Sequence, residues 1–178
     1  MDKQSIAQLM HENHQKFISK LSALSDTDFE YKPAVKWTAG QQLEHIIKSV
    51  KPVVTAFSVP LFLLKMKFGL TNRPSKTYEE LVEKYLGVLE KNKGYAIPKK
   101  FAPDYIGTHQ RKRKLAYLDT LVLKLNRKAN RLSEKDLDTY ILPHPVMGKL
   151  TLREMLYFTA YHVQHHEVQI AQNLSLPQ

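Results

Sequence analysis

The sequence predicts an all-α fold, a bundle of five helices joined by long connections, and three observations carry that prediction. Three capping boxes punctuate the chain: Thr38-Ala-Gly-Gln41, Thr77-Tyr-Glu-Glu80 and Thr151-Leu-Arg-Glu154. In each, the hydroxyl accepts from the amide three residues on, and the Glu or Gln side chain reaches back to the cap amide, which marks a helix start. Apolar residues recur at helical spacing in five segments. No run alternates polar and apolar residues as a half-buried strand would, and there is neither a repeat nor a low-complexity tract.

Taken in order, the first helix covers residues 3–24, with Ile6, Met10, Phe17, Leu21 and Leu24 on one stripe. The second starts at Thr38 and runs over 38–58 with Leu43, Ile46, Ile47, Val50 and Val54 apolar; Pro52 and Pro60 should bend or break it, because proline lacks the amide hydrogen and crowds the preceding turn. The third spans 77–94, with Tyr78, Leu81, Val82, Tyr85 and Leu89 inward and Gly94 as a C′ glycine. The fourth spans 110–132, with Leu115, Leu118, Val122, Leu125 and Ala129 inward, and the last spans 151–173. The intervening stretches 25–37, 95–108 and 133–150 are rich in Pro, Asp and Gly and read as loops.

Composition narrows the function. The length of 178 residues suits one domain over 1–178, and 43% hydrophobic content supports a proper core. The absence of cysteine removes disulfides, thiolate zinc sites and a cysteine nucleophile, leaving nitrogen and oxygen as the only metal ligands. The polar start Met-Asp-Lys-Gln is not a signal peptide, and the longest apolar stretch, Pro52 to Leu64, is about half a membrane span. The expectation is a soluble cytoplasmic protein with no membrane partner. Net charge is +10, and the segment 99–131 carries ten Lys or Arg against two acids, a local excess of +8. Lys124, Arg127, Lys128 and Arg131 lie opposite the apolar stripe of their helix, as on any solvated face, and no aromatic residues interleave to stack bases. Specific nucleic-acid binding is therefore not expected.

The histidines carry the chemistry. His162 and His166 are four residues apart, so a helix puts both imidazoles on one face, the spacing by which one helix gives two nitrogens to a single metal ion. They share the stripe of Leu152, Met155, Thr159 and Ile170. Spacing alone weighs a metal pair and a pair of structural core histidines equally. A third ligand, His45, would leave a metal with open positions, as catalytic sites have. Yet His45 points nearly opposite the stripe of its own helix, with Gln41 and Ser49, and spacing alone reads it as exposed. His165 projects about 80–100° from the paired histidines and is expected to face solvent or to support them. His14, between Met10 and Phe17, is a core or site-lining group; His11 and His109 read as surface; His144 lies in a loop where a turn role and a site role are both open. Gln169 is a candidate support for the pair or a plain surface glutamine. Glu44 and Glu167 neighbour histidines in sequence, but adjacent helical positions point apart, so neither reads as a general base.

Two segments resemble a known family. Residues 36–50, Lys-Trp-Thr-Ala-Gly-Gln-Gln-Leu-Glu-His-Ile-Ile-Lys-Ser-Val, resemble the W-(S/T)-x-x-(E/Q)-x-x-x-H-(L/I) segment of the DinB-like superfamily, the YfiT-like metal-dependent hydrolases. Residues 144–170, from His144-Pro-Val-Met-Gly-Lys-Leu-Thr through His162-Val-Gln-His-His166 to Gln169-Ile170, resemble its H-P-x-x-G-x-L-T-x-x-E … H-x-x-x-H-x-x-Q-I block. The resemblance implies a four-helix up-down-down-up bundle with an additional short helix or irregular segments. It also implies a divalent metal, nickel or zinc, held by His45, His162 and His166. Activities in the family imply a hydrolase or a thiol S-transferase using a low-molecular-weight thiol on a small-molecule substrate, and a homodimer. The alternatives are a metal-binding scaffold without catalysis and a basic nucleic-acid-binding module.

Overall fold

The computed structural model describes residues 1–33, 36–92 and 98–176. The chain folds into α1 (Lys3–Ala23), α2 (Asp26–Glu30), α3 (Ala39–Ala56), α4 (Leu61–Phe68), α5 (Tyr78–Lys91), α6 (Thr108–Asn130) and α7 (Glu134–Thr139), then β1 (Ile141–His144), β2 (Gly148–Thr151) and α8 (Leu152–Leu174). The fold is mostly helical, as expected. All three capping boxes form: Thr38, Thr77 and Thr151 accept from the amides of Gln41, Glu80 and Glu154, whose side chains return the bond. The stripes point inward, with Ile6, Met10, Phe17 and Leu21 of α1 and Leu115, Leu118, Val122, Leu125 and Ala129 of α6 all buried. Four long helices enclose the core: α1 packs on α6 and α8, and α3 packs on the same two. Among the described residues no single helix is long and apolar enough to cross a membrane.

Several connections expected to be loops are structured. Ser25 and Ser133 cap the short helices α2 and α7, each accepting from the amide three residues on. Residues 141–151 form an antiparallel hairpin, with Ile141 opposite Thr151 and His144 opposite Gly148, which turns at a φ of +75°. Its strands are four residues long, too short to show alternation, and they form because burying Ile141, Leu142 and Leu150 requires their backbone groups to pair. Helix α3 continues through Pro52, which sits on an exposed position, and ends at Ala56. The break comes ahead of Pro60, where α4 departs at 108° to α3. Helix α5 ends at Lys91, with Asn92 as its C-cap, and Gly94 lies outside the described residues.

The start of α8 is anchored by charge as well as by apolar contact. Glu154, with no exposed surface, accepts from its cap amide at 2.9 Å, from the Lys76 amide at 2.9 Å and from both Arg73 nitrogens at 2.6 and 2.8 Å. Burial alone pushes its carboxyl up, but the hydrogen bonds from Arg73, Lys76 and Thr151 outweigh it and hold the group below the usual Glu range. Arg153 likewise clamps α7, reaching Glu134 at 2.6 Å and Asp138 at 2.6 Å. These bonds fix the helix that carries His162 and His166.

Candidate metal centre

The fold brings His45 of α3 and His162 and His166 of α8 to one point. All three are buried, with 4–6% of their surface exposed. One ring nitrogen from each lies within 4.8 Å of the other two. Nε2 of His162 stands 3.4 Å from Nε2 of His45 and 3.0 Å from Nε2 of His166. Two nitrogens each about 2.1 Å from one first-row ion sit about 3.0 Å apart at a right angle and about 3.4 Å apart at the tetrahedral angle. The donor set therefore fits a divalent cation.

The opposite ring nitrogens explain why the lone pairs face inward. Nδ1 of His45 lies 2.8 Å from the Phe101 carbonyl oxygen, and Nδ1 of His166 contacts the Gln42 carbonyl oxygen. Neither oxygen has a proton to give, so both Nδ1 atoms carry the hydrogen and both Nε2 atoms keep a lone pair. His162 can offer one Nε2 hydrogen to one neighbour at most. Three such lone pairs are satisfied together by a shared cation, and the oxygen partners behind the rings are of the kind that orient ligating histidines. Burial pushes His162 and His166 well below the ordinary histidine pKa and pushes His45 down as well, so the rings are neutral at neutral pH, as ligation needs.

Aromatic rings wall the cluster. Phe158, one turn before His162, stacks on its ring at 4.7 Å between centroids, and Trp37 lies 5.0 Å from His45. Tyr85 of α5 meets His162 edge-on at 6.1 Å. The neighbouring carboxylates are committed elsewhere: Glu44 to Lys114 of α6 at 2.6 Å, and Glu167 to Lys20 of α1 at 3.4 Å. Part of the basic segment is thus absorbed by the fold, while Lys112, Arg113, Lys124, Arg127 and Arg131 stay exposed. Open clefts of about 780 Å³, beside Ser75, Tyr78, Asp138 and Arg153, and of about 550 Å³, beside Asp26, Glu30 and Thr108, include none of the three histidines.

His45 corrects its stripe-based reading. It is 6% exposed because the residues leading into α6 lie across the polar side of α3, where the Phe101 carbonyl bonds His45 and Ala102 accepts from Lys48 at 2.8 Å. His165 is half-buried; its Nε2 accepts from Gln169 at 2.8 Å, so Gln169 supports His165 and not the cluster. His144 serves the hairpin turn, accepting the Val146 and Met147 amides at 3.3 and 3.2 Å, and it touches Phe158 edge-on at 4.3 Å. His14 is a core residue outside the cluster: Nδ1 bonds the Met10 carbonyl at 2.7 Å, and Nε2 has no partner among the described residues. His11 is half-buried rather than on the surface, and His109 is exposed. Reasoning from sequence missed Gln42, Phe101 and Phe158. Two of these carry a helical signal, since Gln42 precedes His45 by three residues and Phe158 precedes His162 by four; the Phe101 carbonyl carries none.

A family model described as the DinB superfamily matches residues 9–170. A protein of Bacillus subtilis (strain 168) named "Uncharacterized protein YuaE" is 30% identical over 153 residues, covering 83% of this chain and 84% of that one. The family match spans all three histidines.

Proposed function

The chain belongs to the DinB superfamily, and from that membership we propose that it is a metal-dependent enzyme. In this reading His45, His162 and His166 hold one divalent first-row ion, nickel or zinc, and the reaction is hydrolysis or low-molecular-weight-thiol transfer on a small electrophilic substrate. The observation that carries it is the convergence of three buried Nε2 atoms, two of them backed by oxygen acceptors on Nδ1. A bound ion supplies Lewis acidity that activates water or a thiol at neutral pH. The chain has no cysteine, so the thiol comes from outside. Gln42 and the Phe101 carbonyl hold two of the rings in register, and Phe158, Trp37 and Tyr85 keep bulk water from the cluster. Glu44 and Glu167 are held by lysines and do not act as the base.

The same reading makes α1, α3, α6 and α8 an up-down-down-up core and pairs two copies as a homodimer. Hydrogen bonds between helices support the core. Asn13 to Ala160 and Lys20 to Glu167 run α1 along α8, whereas Arg111 to Leu24 and Asn126 to Ala7 run α6 against α1. Lys114 to Glu44 aligns the starts of α3 and α6, and Asn173 to Trp37 sets α3 against α8.

The test is a substrate screen of esters, amides, epoxides and activated halides, with and without low-molecular-weight thiols, on metal-loaded protein. Turnover should vanish on chelation and fall by about three orders of magnitude in His166→Ala. Activity that survives that substitution places the chemistry elsewhere. A second reading, a scaffold that holds metal without turnover, is favoured by the 4–6% exposure of the rings. Cobalt-loaded protein whose visible spectrum ignores added thiols and small anions would select it.

A further inference from the structure

Helix α4 is the part of the molecule that the metal reading leaves unused. Its sequence, Leu61-Phe-Leu-Leu-Lys-Met-Lys-Phe68, holds six apolar residues in eight, yet only Leu64 is buried. Phe62 is 60% exposed, Leu63 42% and Met66 79%, with Leu70 just beyond at 41%. At about 100° per residue, Leu61, Leu64 and Phe68 share the inner side, and Phe62, Met66 and Leu63 form an outward arc about 100° wide. Lys65 and Lys67 fall on the two flanks of that arc. Around the helix, residues 45–78 contain six Lys or Arg and no Asp or Glu.

A surface of this kind needs an occupant that takes both the apolar arc and the flanking cations. A second copy meets it poorly. A two-fold contact would bring Lys65 and Lys67 of both chains together with no acid from 45–78 to answer them. Four exposed apolar side chains also fall well short of the roughly 20–30 residues a side of a stable protein interface. An anionic bilayer answers both features. A helix lying in the interfacial plane sinks its apolar face to the level of the acyl chains, while lysines at its flanks extend to the headgroup phosphates.

We propose that α4 is a membrane-surface docking element: Phe62, Leu63 and Met66 enter the interface of an anionic bilayer, and Lys65 and Lys67 bind its phosphates. The expectation of no membrane partner rested on span length, and a helix lying in the plane needs no span. The docking is independent of the metal at the histidine cluster.

The test is co-sedimentation of the full chain at physiological salt. One set of vesicles is phosphatidylcholine alone and the other is phosphatidylcholine mixed with phosphatidylglycerol. The chain should partition onto the mixed vesicles and not the neutral ones. The double variant Phe62→Ser/Met66→Ser leaves the charge unchanged and should weaken that partition by about tenfold or more. Met66→Ser alone, at the most exposed site, serves if the double variant folds poorly. The control Lys124→Glu/Arg127→Glu on the outer face of α6 should have the smaller effect. Three results overturn the proposal. One is no preference for the mixed vesicles. Another is binding that the α6 control weakens and the serine variants do not, which is diffuse electrostatics. The third is loss of self-association in the serine variants with vesicle binding intact, which makes the face a contact between copies.

Discussion

At the scale of single residues, the histidines divide by what lies behind each ring. His162 and His166 were legible in the sequence, because a four-residue spacing fixes two side chains on one helical face. The position of His45 was not, since its burial comes from a chain segment some 56 residues away whose carbonyl carries no side-chain signal. His14 has the opposite character: it is fully buried with Nε2 unpartnered among the described residues, and burial pushes its pKa from 6.5 down to about 4. The unfolded chain takes up this proton near pH 6.5, while the folded chain resists it to about 4. Stability is therefore unaffected above that window, falls as pH drops through it and levels off below. The full loss is about 3 kcal/mol, at about 1.36 kcal/mol per pH unit. Urea unfolding should show His14→Leu losing markedly less stability than the parent chain between about pH 7 and 4.5. Equal losses in the two proteins would mean that His14 is not the acid-sensitive group.

At the scale of elements, the helices with caps and stripes were readable, and the pieces of eight residues or fewer were not. The capping boxes located three helix starts because each encodes two reciprocal hydrogen bonds in four residues. The hairpin 141–151 escaped because four-residue strands give too few positions to reveal a period of two. Pro52 misled in a different way, since an exposed proline costs α3 one hydrogen bond while Val50, Val53 and Val54 keep the helix seated on the core. The first turn of α3 rests on Gly40, where an added Cβ would run into the Ile106 carbonyl oxygen and the Phe29 ring. Gly40→Ala should therefore destabilise the protein by about 1–3 kcal/mol despite a gain of about 1 kcal/mol in helix propensity. Because the displaced turn leads into Gln42 and His45, metal affinity should fall as well. Unchanged chemical stability in this variant would show that the Ile106 segment gives way freely.

At the scale of the whole molecule, the charge of +10 has more than one destination. Lys20 and Lys114 hold the acids beside His166 and His45, Arg73 and Arg153 brace the start of α8, and the outer face of α6 stays solvated. Composition could state the excess but not this division, which depends on which helices meet. The bracing leaves α3 and α8 presenting three neutral imidazoles to one point, and metal binding by those three is the central claim. The direct measurement is metal content by mass spectrometry of protein purified without a histidine tag and equilibrated with nickel or zinc. The account predicts about one ion per chain in the parent protein and in His165→Ala, and essentially none in His162→Ala. Metal retained in His162→Ala, or lost in His165→Ala, would contradict it.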